Sequence, residues 1–133
     1  MSLMRRLVRR FSLLWLLVLV AQSGCKKLND NRTVEIEPGE EKLIIADPVS
    51  RDQSVTVSWD SEGSPVSVYL FLEKDQKAAS DAITLGKASD KMLAKKEQSS
   101  EDSLQVQVPS EEKLVVMMTS RKQAKVRVKM VGK

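Results

Sequence analysis

Ser54-Val55-Thr56-Val57-Ser58-Trp59 and Val66-Ser67-Val68-Tyr69-Leu70-Phe71-Leu72, separated by Asp60-Ser61-Glu62-Gly63-Ser64-Pro65, decide the fold. Side chains alternate across a strand, so the first run places Val55, Val57 and Trp59 on one face and hydroxyls on the other. The second run is apolar on both faces, which predicts a central strand. The Gly-Ser-Pro cluster between them reads as a turn, and the pair as a hairpin.

The same period recurs outward from this point. Leu104-Gln105-Val106-Gln107-Val108 alternates and stops at Pro109. Lys113-Leu114-Val115-Val116-Met117-Met118 is a continuous apolar strand. Ala124 to Met130 alternates again, with Lys125, Arg127 and Lys129 turned to water. Thr33–Ile36 and Lys42–Ile45 are shorter strands on either side of Pro38-Gly39. About seven strands with turn signals between them predict an all-β fold, a single antiparallel β-sandwich. One stretch departs from the pattern. Between Glu73 and Glu97, Ala78, Ala79, Ala82, Ile83 and Leu85 recur at helical spacing and Gly86 is a stop signal, so a short helix near Gln76–Leu85 in a crossing loop is expected. A weak strand follows at Met92–Lys96, then a polar turn over Gln98–Ser103.

The N-terminus is of another kind. Arg5, Arg6, Arg9 and Arg10 precede an apolar run from Phe11 to Ala21, which ends in Gln22-Ser23-Gly24-Cys25. A basic segment, an apolar segment and a small-residue exit form an export signal, read as an N-terminal signal helix. The run is about half of the roughly 20 apolar residues that span a bilayer, which disfavours a retained membrane helix. Cleavage after Ser23 would release a soluble secreted protein. Cys25 is the only cysteine, and its place outside the strand pattern argues against a buried core thiol.

This layout resembles the bacterial lipoprotein signal, in which the chain is cut between residues matching Gly24 and Cys25 and the cysteine is lipidated. Gln22 stands where that family usually has an apolar residue. The resemblance implies a signal peptide at 1–24, a polar tether at 25–32 and a domain at 33–133. It also implies an exported protein held to the membrane by lipid on Cys25, facing the periplasm or the cell surface. Lys26 and Lys27 can lie against anionic headgroups.

Removal of the signal changes the charge argument. The whole chain carries a net +4, but the first 24 residues hold four arginines and no acid, so 18 basic and 18 acidic residues remain. The net charge then falls to zero, and a nucleic-acid partner loses its support.

Catalytic chemistry finds few candidates. The chain has no histidine, so a His-based triad cannot be assembled and the commonest metal ligand is missing. No glycine-rich phosphate loop occurs, and no cofactor is expected. Asp60-Ser61-Glu62-Gly63 offers oxygens but lacks calcium-loop spacing, so no metal site is expected there. Trp59 could stack on a sugar, yet its phase with Val55 and Val57 favours the core.

The strand run from Ser54 to Leu72, with Leu114–Met118 and Val126–Met130, is similar to pre-peptidase C-terminal and GOLD-type sandwich modules. That resemblance implies a non-catalytic interaction or structural module, with another envelope protein as its partner. The competing reading is a solute- or carbohydrate-binding accessory module, with or without the assistance of calcium, which predicts a concave patch of exposed aromatics and clustered carboxylates. It requires Trp59 and Tyr69 to be exposed beside Asp60 and Glu62.

Overall fold

The computed structural model describes residues 27–133. Eight strands build two four-stranded antiparallel sheets. They are β1 (Asn29–Ile36), β2 (Glu41–Ile45), β3 (Gln53–Glu62), β4 (Val66–Leu72), β5 (Met92–Ser99), β6 (Glu101–Val108), β7 (Leu114–Ser120) and β8 (Ala124–Gly132). One helix, α1 (Gln76–Leu85), follows a short 3₁₀ turn at Glu73–Asp75. The first sheet runs β1-β8-β3-β6 and the second β2-β7-β4-β5.

The all-β sandwich expected from the period-two pattern is therefore present. Its connectivity is that of a jelly roll: β1 pairs with β8, β2 with β7, β3 with β6 and β4 with β5. The two halves of the chain lie along each other like the arms of one long hairpin, with α1 at its tip. Rolling that hairpin adds the β3–β8 and β4–β7 pairings that complete the sheets.

Three expectations need correction. β3 and β4 do not form a hairpin, because the turn at Gly63 carries the chain from one sheet to the other. Each strand has a more distant apolar partner, so the local turn serves as a corner. The polar stretch Gln98–Ser103 is not a turn: β5 and β6 pass through it with only Ser100 between them. Its hydrophilic residues face water on two edge strands. Asn29–Arg32, expected as tether, belong to β1 and pair with Val131 through Val128. An edge strand needs few apolar residues, which is why composition hid it.

The core lies between the sheets. Val55, Val57, Trp59, Val126, Val128 and Met130 of the first sheet meet Val66, Val68, Leu70, Val116 and Met118 of the second. A smaller cluster sits on the outer side of the second sheet, where Phe71, Val115 and Met117 pack under Ala79 with Ile83, Tyr69 and Met92 against them. This explains the two apolar faces of β4, since one faces the sandwich and the other the helix. Ala79 and Ile83 lie one turn apart and share the helix face that makes this contact. Gly86 ends the helix in the left-handed conformation at φ +65, with its N–H donating to the Ile83 carbonyl at 3.1 Å.

Candidate functional site

The outer face of the first sheet is built from the polar halves of its alternating strands. On β8, Lys125, Arg127 and Lys129 point outward while Ala124, Val126, Val128 and Met130 fill the core. β8 is a central strand, so its cations are flanked on both sides. Lys125 stands between Glu35 on β1 and Glu62 on β3. Arg127 stands between Thr33 and Asp60, and Lys129 between Asn31 and Ser58. β6 extends these rows with Glu101 beside Asp60 and Ser103 beside Ser58.

The result is a ladder of three cations bordered by carboxylates at one end and by neutral polar groups at the other. Arg127 Nη2 reaches Asp60 Oδ2 at 3.3 Å, but the two side chains are 65% and 50% exposed. An ion pair so open to water is worth about 0–1 kcal/mol, so either partner can exchange it at little cost. An open depression of about 620 Å³ runs over Asn31, Ser58, Asp60, Ser103, Arg127 and Lys129. It is a shallow polar surface.

The edge of this face is braced to the second sheet. Lys96 Nζ on β5 lies 3.3 Å from Asp102 Oδ2 on β6. The backbone N–H of Ser103 donates to Asp102 Oδ1 at 2.8 Å. That hydrogen bond first, and the nearby Lys96 ammonium second, hold the Asp102 carboxyl below the ordinary aspartate range. Gln98, in a left-handed conformation at φ 50, donates from both its backbone N–H and its Nε2 to the buried Ser67 hydroxyl. The bulge between β4 and β5 is thereby satisfied where the ladder loses register.

The residues singled out for ligand binding are dispersed. Trp59 is 2% exposed, with its indole N–H donating to the Ser99 carbonyl at 3.4 Å. Tyr69 is half-buried on the opposite sheet, beside α1. The exposed aromatic pair that sugar stacking requires is therefore not formed by these two side chains. Asp60 faces Arg127, while Glu62 lies two residues on in the next row, beside Lys125. Among the described residues no group of three or more His, Cys, Asp or Glu is placed to hold a metal ion. Gly24 and Cys25, the residues expected at signal cleavage and lipidation, lie outside the described residues.

The ladder on β8 was legible in part. The sequence turned Lys125, Arg127 and Lys129 to water, but their flanking acids come from strands that are remote in sequence. No periodicity reveals that register.

No family model and no curated protein matches this chain. Among solved structures it is similar to the mitogen derived from Yersinia pseudotuberculosis, with a TM-score of 0.55 at 9% identity. The match covers 80% of this chain and 86% of the mitogen, and it shows a shared sandwich fold.

Proposed function

We propose that this protein is a non-catalytic, exported cell-envelope module, anchored by lipid on Cys25, that docks another envelope protein on the outer face of its first sheet. The observation that carries the docking half is the cation ladder Lys125-Arg127-Lys129, set on a central strand, with one weak, exchangeable ion pair between Arg127 and Asp60. Complementary charge steers association and fixes orientation more than it adds affinity. A flat face that sets Glu35, Asp60, Glu62 and Glu101 beside Lys125, Arg127 and Lys129 fits a partner whose own charges alternate in complementary rows. The anchoring half rests on the basic, apolar and small-residue layout that ends at Cys25. At 9% identity the mitogen lends this chain its fold and no partner.

Intact mass of the protein purified from its host membrane tests the anchor. The expected result is a chain beginning at Cys25 with added acyl mass, and a Cys25→Ser variant that moves to the soluble fraction. Wild-type protein released without acyl mass overturns it. For the docking face, photocrosslinking from position 129 in cells is expected to trap a partner in the wild type and to lose it in Arg127→Glu. Both substitutions lie on the exposed face, so folding is expected to be unaffected. Undiminished crosslinking in Arg127→Glu overturns the docking face.

A further inference from the structure

Leu28 is where the sandwich takes hold of the chain. Its N–H donates to Gln53 Oε1 at 3.3 Å, and its carbonyl accepts from the Gly132 N–H at 2.7 Å. Asn29 then opens the β1–β8 ladder opposite Val131. The Gln53 side chain is 2% exposed and packs directly on Gly132, where an added Cβ would meet Oε1 at 2.2 Å. Buried on one side and backed by glycine on the other, the amide has little room to swing. It holds Leu28 at one fixed point of the fold.

That point belongs to one end of the sandwich. The same end carries the connections at 46–52 and 109–113, which are tied together by Glu111 N–H to the Val49 carbonyl and Ser110 N–H to Asp52 Oδ1, both at 2.7 Å. The opposite end carries 37–40, 61–65 and 121–123. The ten residues of β3 separate the ends by about 33 Å.

Only Lys26 and Lys27 stand between Cys25 and Leu28. Three residue steps of fully extended chain reach about 10 Å at most. The headgroup layer on each side of a bilayer is itself about 5–8 Å deep. A lipid on Cys25 therefore cannot leave the domain hanging free. We infer that the Leu28 end of the sandwich is apposed to the lipid surface, while the opposite end, with the upper rows of the charged sheet face, is presented away from it. This inference rests on the reading of Cys25 as acylated. The apposed end mixes exposed cations (Lys27, Arg51, Lys133) with acids (Asp47, Asp52, Glu111), so the short tether, and not attraction to anionic lipid, sets the orientation.

The test uses acylated full-length protein, verified by mass, in phosphatidylcholine vesicles containing a headgroup-nitroxide lipid. Fluorophores are placed through Arg51→Cys at the apposed end and Arg121→Cys at the far end. Strong quenching at 51 and little at 121, unchanged by high salt, is expected. Inserting twenty Gly/Ser residues between Lys26 and Lys27 adds a linker of about 25 Å root-mean-square length and should level the two signals. Equal quenching without the insertion, or an asymmetry lost in salt or kept despite the insertion, overturns the apposition. A chain without acyl mass instead overturns the anchor on which it depends, and mass spectrometry reads that outcome separately.

Discussion

Trp59 shows how much a single side chain can decide. Its phase with Val55 and Val57 predicted a core position, and the ring is buried with its N–H satisfied by the Ser99 carbonyl. Trp59→Phe removes that donor and part of the packed area, which should cost about 1–3 kcal/mol. A lower denaturant midpoint with an unchanged m-value checks this. Asp102 is a different case, because its chemistry comes from neighbours that the sequence does not announce. The Ser103 N–H and then Lys96 lower its pKa in the fold. A carboxyl depressed in this way adds stability above its unfolded pKa, and that stability is lost as pH falls through the folded value. Asp102→Asn should accordingly be less stable than wild type at neutral pH. The gap should close on acidification below the ordinary aspartate range. Denaturant midpoints across that pH series measure it, and a gap independent of pH contradicts the assignment.

The elements divide into those whose evidence is local and those whose evidence is not. Helix α1 was legible because its apolar spacing and its terminating Gly86 lie within one short stretch. Strand interiors were legible for the same reason, since burial of one sheet face writes a period of two into the sequence. Strand partners were not. Pro65 and Gly63 mark a turn, but nothing local tells a hairpin from a corner between sheets. β1 and β5 were read too short, as Thr33–Ile36 and Met92–Lys96, because edge strands carry little apolar signal. The edges also show how pairing is held in check. On β2, Leu43 and Ile45 are 41% and 40% exposed, which makes the strand a template for a further strand. Lys42 lies on the same side as buried Ile44, turned toward the core side of the sheet, and is neutralised by Glu40 at 2.7 Å. A charge placed there opposes edge-to-edge pairing. Lys42→Val should promote self-association, read as a concentration-dependent rise in sedimentation coefficient. A variant that stays at the wild-type value shows that the edge is protected in another way.

For the whole molecule, fold class was written in the sequence and topology was not, because the pairing of first strand with last spans the entire chain. That pairing has a consequence for how the protein is made. β8 lies at the centre of its sheet, between β1 and β3, and is the last of the eight described strands in chain order. Until it arrives, Val34 on β1 and Trp59 on β3 lack the neighbour that joins them. A chain ending at Lys122 is expected to lack cooperative thermal unfolding, as followed by circular dichroism. High contact order of this kind slows folding to milliseconds or seconds, because distant segments must meet before any gain is made. A chain so arranged cannot complete its first sheet while it emerges N-terminus first, which leaves it able to thread a narrow channel before β8 is in place. On the export route proposed above, the roll would lock only once β8 had passed, so the fold would itself time its closure to the end of passage.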